Sequence, residues 1–443
     1  MLLTKIHILD FKLIMPYKIL IIHTLMISFM FPQSLFNLWS GTDPFVGSAK
    51  SSSMGQTHIL NSEGSSTIRF NPANIKFNST KPILNFQINQ YSIFEKWSIP
   101  IRDSFGEFLV NADYVSNEFS KYGISIGTLI PINKILKYGQ IGLYHGPLTH
   151  FTYNYSEEVR GNYDAQDGEY VSKDPLIGYQ NLNIDGEIMM STLGGGFEIY
   201  SNENINLSFG LSASYIYSSD ITHSVSIDTL STNLENLSSV NDIENIYITP
   251  SSYFNTLSSN IKLFSNLTIA LSLESKAHIQ TETFSMLVDS TNGLFQYWKN
   301  NDFAIDGINY QKPLFYGIAA SFNNPRNNLN INFEIDQISY KDFYLSDYSI
   351  YKFGFEYTTD LGKPIRSGLV YKTSPISYIQ PISIFTFGSA LSIGNYILDL
   401  SGTYEYITYN YPDLFTVEND LRNEYDIVRD SQLNLILAFS YLF

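Results

Sequence analysis

The sequence predicts an all-β chain, a transmembrane antiparallel up-and-down β-barrel of about fourteen strands. Three observations carry this. Apolar residues alternate with small polar ones over segments of about ten residues or more. The links between those segments alternate between short and long. The final segment has one apolar face and stops on an aromatic, Phe443.

Size and composition agree. A soluble core stops growing at about 250–300 residues, and this chain has 443. A barrel escapes that limit by adding strands. Charged residues are only 15% of the chain, while Tyr and Phe number 33 and 31. Mean hydropathy is −0.06, far below that of helical membrane proteins and as expected where greasy and polar positions alternate. There is no cysteine, which excludes a disulfide scaffold and a thiolate metal site. A net charge of −16 argues against nucleic acid as a partner and suits acidic, solvated loops.

Residues 1–40 read as an export signal. Lys12 and Lys18 precede an apolar run from Ile19 to Phe31, too short for the roughly 20 residues of a membrane span. Either Met1 or Met15 serves as the start, and a cut is expected between Ser34 and Ser40. Nothing later offers 18 consecutive apolar residues, so any crossing is by strands.

The strands are expected at 82–92, 121–131, 140–154, 187–200, 204–217, 255–264, 266–280, 311–322, 328–342, 348–359, 365–374, 382–393, 395–408 and 431–443. The clearest is Leu329, Ile331, Phe333 and Ile335, interleaved with Asn330, Asn332, Glu334 and Asp336. Alternate side chains of a strand point to opposite faces, so one face is apolar and the other polar. Ile205 to Leu211, Leu267 to Leu273 and Tyr351 to Tyr357 repeat the pattern. Asn202-Glu203-Asn204 and Asn323-Asn324-Pro325 supply turn chemistry to short links. Residues 93–120, 155–186, 218–254, 281–310 and 409–430 are expected as long external loops, with both chain ends on the opposite side. In the last strand Leu433, Leu435, Leu437, Phe439, Tyr441 and Phe443 share a face. Leu437, Phe439, Tyr441 and Phe443 resemble the C-terminal signal of outer-membrane barrels, which implies recognition by the barrel assembly machinery.

Residues 41–80 contain Gly47-Ser48-Ala49-Lys50, then Met54-Gly55, then Asn71-Pro72-Ala73. This stretch resembles the N-terminal region of the FadL/TodX family of outer-membrane transporters for hydrophobic compounds, and of the related PorV-like barrels. The matching residues are Gly47, Ala49, Met54, Gly55, Asn71, Pro72 and Ala73; Lys50, Gln56 and Asn74 depart from the family's pattern. The resemblance implies that 41–80 folds inside the barrel 81–443 as a plug, which a fourteen-stranded barrel needs because its own side chains cannot fill it. It also directs attention to Gly146-Pro147 in the third strand. Proline cannot donate to a ladder and glycine weakens one, so a kink, bulge or break is expected there: either the inward kink by which the family's third strand opens a lateral gap, or the external rim where strands end.

Catalytic motifs are absent: no H-E-x-x-H, no G-x-S-x-G and no P-loop. His145 and His150 lie five apart, which on a regular strand points them to opposite faces, and no metal or cofactor is expected. The acidic run Glu157, Glu158, Asp164, Asp167, Glu169 and Asp174 reads as a solvated loop. Tyr247, Tyr253, Phe284, Phe295, Tyr297 and Trp298, in two expected external loops, are candidates for gathering a hydrophobic ligand. The reading is therefore a monomeric barrel of a Gram-negative-type outer membrane, in contact with outer-membrane lipid. It passes hydrophobic small molecules such as long-chain fatty acids inward without an energy source. The alternative is a PorV-like barrel that binds or shuttles secreted proteins in type IX secretion.

Overall fold

A computed structural model describes residues 41, 47–74, 81–132, 138–160, 176–218, 221–229, 251–264, 266–280, 309–340, 346–375, 379–411, 413–414 and 425–443. The expected signal, 1–40, lies outside them. Fourteen antiparallel strands form one closed wall, each bonded to its neighbours in chain order: β1 (Ile83–Arg102), β2 (Phe108–Pro131), β3 (Gly139–Arg160), β4 (Leu176–Ser201), β5 (Ile205–Ser218), β7 (Ser251–Leu263), β8 (Leu267–Glu274), β11 (Leu314–Asn324), β12 (Leu329–Ser339), β13 (Tyr348–Thr358), β14 (Pro364–Lys372), β15 (Ile382–Ile393), β16 (Tyr396–Tyr411) and β17 (Asp426–Leu442). The last strand closes on the first, with Ile83 opposite Leu442 and Ser98 opposite Ile427. Closure removes the free edge that would otherwise template association. Three short strands stand apart: β6 (Thr222–Thr229) extends β4, and β9 (Ala277–Gln280) pairs with β10 (Asn309–Lys312).

Each expected strand coincides with a wall strand, but the expected loops are partly strand as well: 218–254 holds β6 and the start of β7, and two others are largely or partly continuations of the wall. Much of 93–120 is a continuation of β1 and β2, which pair up to Arg102 and Phe108 around a tight turn. The ends of 155–186 likewise extend β3 and β4, so Glu157 and Glu158 sit in a strand. The reason is physical. Beyond the lipid the outer face is polar too, so the apolar–polar alternation fades while the backbone ladder persists; Lys96, Asp113 and Glu118 are exposed there, while Trp97 and Val115 on the other face are buried. The expected strand 266–280 breaks after Glu274, where β9 turns away to pair with β10.

The wall is inside out relative to a soluble protein. Leu84, Phe86, Ile124, Phe197, Leu257, Phe333, Phe353, Phe385, Leu398 and Phe439 are exposed around its circumference. Buried positions are held by Gln87, Ser125, Thr192, Ser258, Glu334, Lys352 and Asp399. A soluble monomer rarely exposes a continuous apolar patch of that kind; an outward apolar band with a polar interior is the partition of a lipid-facing barrel.

Residues 47–74 lie inside this wall. They form three short helices, α1 (Ala49–Ser53), α2 (His58–Asn61) and α3 (Ser66–Phe70). The Ser48 side chain caps α1 by accepting from the Ser51 N–H. Helices this short do not stand alone; the wall holds them. Its lumenal glycines give the inner chain room to touch backbone. A Cβ on Gly354 would strike the Met54 carbonyl, one on Gly368 the Gly55 nitrogen, one on Gly196 the Pro72 carbonyl and one on Gly210 the Ala73 nitrogen. Gly55 itself has φ 65° with the Phe353 carbonyl against it, so both left-handed backbone and close approach require glycine there.

Candidate functional site: a lumenal cavity beside a break in the wall

Above the inner segment is a cavity of about 320 Å³. Its floor includes His58, Arg69 and Lys352, and its sides include Ile338, Ile350, Val370 and Ile384. The lining is mixed: Glu274, Lys312, Glu405 and Asp430 share it with Tyr144, Leu148 and Phe315.

Three ion networks tie the floor to the wall. In the first, Lys352 on β13 faces its cross-strand partner Glu334 on β12. Its Nζ lies 2.7 Å from Glu334 Oε1, 2.7 Å from His58 Nδ1, and in contact with Asp336. The Glu334 carboxylate also accepts the first N–H groups of α2, from His58 at 3.3 Å and Ile59 at 2.9 Å, where a negative charge favours a helix N-terminus. Burial, then the neighbouring Lys352 ammonium, hold the His58 ring well below its ordinary pKa, so neutral His58 accepts from Lys352. His58, Glu334 and Asp336 are close enough to one another to suggest a metal site, but the Lys352 ammonium is the cation in their midst. In the second network Glu274 on β8 holds Arg69 of α3 and, at 2.8 Å, Lys312 of β10. Arg69 is also over the rings of Phe70 and Phe254, at 4.6 and 4.9 Å. In the third, Lys50 meets Glu63 at 3.2 Å and Glu356 at 3.9 Å, and Glu356 passes to Arg366 and Asp399.

The candidate motif residues of the inner segment fall at its seats. Gly47 precedes α1. Met54 and Gly55 lie on β13 and β14, where the Gly55 N–H also donates to Thr386 at 2.8 Å. Asn71 turns the chain back, donating to the Ile59 carbonyl at 2.7 Å and to Asn260 at 2.9 Å. Pro72 and Ala73 rest on Gly196 and Gly210, and the Ala73 N–H donates to Ser258 at 2.9 Å.

Gly146 and Pro147 mark a break in the wall. The β2–β3 ladder runs from Pro131 opposite Gln140 to Ile126 opposite His145 and stops, although β2 pairs with β1 far beyond that point. Against β4 a bulge inserts Leu148 between Pro147 and Thr149. From Gly146 to Phe151 every residue is buried, so neither face of β3 meets lipid and the strand has left the wall for the lumen. His150 there stacks on Tyr91 of the inner face of β1, at 6.3 Å. The bulge also corrects the expectation for the two histidines. His145 pairs with Ser191 and His150 with Glu187, both on one face of β4, because one extra residue reverses the alternation. Unpaired backbone at membrane depth is tolerated only where it lines a cavity or is buried in protein. The cavity reaches this point, since Tyr144, Pro147 and Leu148 line it. On the outer face beside this point Tyr122, Ile124 and Ile126 of β2 are exposed.

Of the aromatics expected in external loops, Tyr247, Phe284, Phe295, Tyr297 and Trp298 lie outside the described residues. Tyr253 is in a strand rather than a loop: it is on the outer face of β7, 67% exposed and 5.0 Å from the Tyr215 ring. Its neighbour Phe254 is the buried one. Leu437, Phe439 and Phe443 are exposed on the outer side of β17, and Tyr441 packs between Tyr396 and Phe443. The charged hubs were not singled out from sequence. Their signal was there, in Glu334, Asp336 and Lys352 at lumen-facing positions of strands whose other polar residues are mostly uncharged.

By sequence the chain matches no family model and no curated protein. By structure it is similar to three solved barrels. It aligns with a Pseudomonas aeruginosa FadL homologue at 11% identity, over 91% of this chain and 99% of that one, with a TM-score of 0.58. It aligns with the P. putida toluene transporter TodX at 11% identity, over 89% and 98% of the two chains, with a TM-score of 0.52. It aligns with the Ralstonia pickettii toluene transporter TbuX at 11% identity, over 92% and 100%, with a TM-score of 0.50. The fold is therefore that of FadL- and TodX-type barrels.

Proposed function

We propose that this barrel sits in a bacterial outer membrane and admits hydrophobic small molecules, long-chain fatty acids among them, by passive diffusion. The observation that carries the reading is the coincidence of cavity and break. The inner segment acts as a plug, bonded to wall strands on opposite sides of the lumen through Asn260, Glu334 and Thr386. A ligand in the cavity beside it has a sideways path, because Pro147 and Leu148 belong both to the cavity lining and to the stretch of β3 that is no longer bonded to β2. A hydrophobic solute then partitions into lipid without crossing water, driven by the transfer of its own apolar surface. The solved FadL homologue supports the reading by its fold, and TodX and TbuX by their fold and their transport of toluene.

The test is to repair the wall. Gly146→Val with Pro147→Val restores a donor and a strand-forming pair at the break. Uptake of a radiolabelled fatty acid or of toluene should fall, with the barrel still assembled. Unchanged uptake in an assembled variant would refute the lateral exit.

A further inference from the structure

The opening beside β3 is not bare. Lys121 of β2 lies opposite Tyr91 of β1 and shares its lumen-facing side. Asp185 of β4 lies opposite Thr152 of β3 and shares the outward side with Leu193 and Phe197. In an unbroken wall these two residues would be on opposite faces with β3 between them. Here the Lys121 ammonium and the Asp185 carboxylate form an ion pair. The pair therefore joins the lumenal face of β2 to the outward face of β4, at a level where β3 is still bonded to β4 but no longer to β2, next in sequence to exposed Tyr122. Behind it stands His150, its side chain 1% exposed, with Glu187 at 3.4 Å.

Exposure separates this pair from those that seat the plug. Lys352, Glu334 and Asp336 are at most 1% exposed, and breaking such a pair strands a charge away from water. The Lys121 and Asp185 side chains are 23% and 65% exposed. Neither is enclosed by packed neighbours, so the two can part without stranding a charge inside the protein, unlike the anchoring pairs. A closure that must open for every passing molecule needs that property; a permanent anchor needs the opposite.

We propose that Lys121 and Asp185 form a latch over the lateral opening and set the rate at which ligand passes through it. The proposal rests on the sideways route argued above. Two measurements test it, one of them independent of transport. The chain has no cysteine, so Tyr122→Cys and Met189→Cys place unique spin labels on either side of the opening. In Lys121→Ala and in Asp185→Ala the distance distribution should lengthen and broaden. In the swapped pair Lys121→Asp with Asp185→Lys it should return to that of the parent. Distances that stay the same in the single variants overturn the latch. Entry of N-phenylnaphthylamine into cells with a lipopolysaccharide-covered outer membrane should rise about two- to five-fold in the single variants, the range an exposed ion pair allows. The swap should restore the parent rate. A widened opening with unchanged entry overturns the rate-setting role. Absence of entry above empty cells in the parent would sink the uptake reading, while the spin-label distances still decide the latch. Heat-modifiable gel migration reports assembly; should Lys121→Ala fail to assemble, Asp185→Ala and the swap decide.

Discussion

Lys352→Met removes the central charge of the most deeply buried network that ties the inner segment to the wall, while keeping the length of the side chain. In the parent, Lys352 serves Glu334, Asp336 and His58 together, and none of these side chains is more than 6% exposed. Removing one partner of a buried ion pair costs about 3–5 kcal/mol, because the remaining charge stays out of water. The lower half of that range applies, since Glu334 keeps the two α2 N–H donors that bond it. About 3 kcal/mol is roughly a hundred-fold in the seating equilibrium. The loss falls on the attachment of the plug and not on the wall ladder, so the barrel should still assemble. Planar-bilayer recording should then show open-pore events that are rare in the parent. Trypsin added from the plug side should cut after Lys50 or Arg69 faster than in the parent. Adding Glu334→Gln and Asp336→Asn removes the stranded charges and should recover most of the loss. Parent-like conductance and cleavage in Lys352→Met would refute the claim that this cluster holds the plug, as would a triple variant worse than the single.

Acid should weaken the same anchor. His58 is held neutral in the folded state, below its ordinary value, so the unfolded or unseated segment binds the extra proton. Stability supplied by neutral His58 is complete above about pH 6.5 and is lost as the pH falls below it; open-pore events should grow between pH 7.5 and 5 in the parent and vary less in His58→Gln. Gly354→Val places a side chain against the Met54 carbonyl and should loosen the plug by about 1–3 kcal/mol through overpacking. Tryptic cleavage of the inner segment should accelerate in that variant, and unchanged protection would show that the seat tolerates bulk.

The barrel was legible because its signal is local. Lipid meets one face of each strand, so Leu329, Ile331, Phe333 and Ile335 announce a strand and its outer face without reference to any other residue. The same logic failed at Asp113 and Glu118, where the outer face carries charge instead of apolar side chains and the ladder of β1 and β2 runs on unmarked. It failed again at Glu274, where attraction to Arg69 and Lys312 accompanies the end of β8. The face of His150 was misread because one extra residue, Leu148, shifts the alternation, and a bulge is visible only against the partner strand.

The site was legible in parts and not as a whole. Gly146-Pro147 could be read as a weakness in a ladder, since both residues act on their own backbone. Which ladder they break was decided by β2, whose pairing with β3 ends at Ile126. Asn71, Pro72 and Ala73 read as a turn; that they rest on Gly196 and Gly210 depends on wall positions well over a hundred residues away. Charges such as Arg69, Glu274, Glu334 and Lys352 look alike in sequence whether they face water or each other. Alternation is a property of neighbours along the chain, so the sequence alone determined the strands, their faces and the closed wall. Convergence is a property of the rolled sheet, so only the tertiary structure decided where the inner segment is anchored, where the β2–β3 ladder ends and which charges meet there.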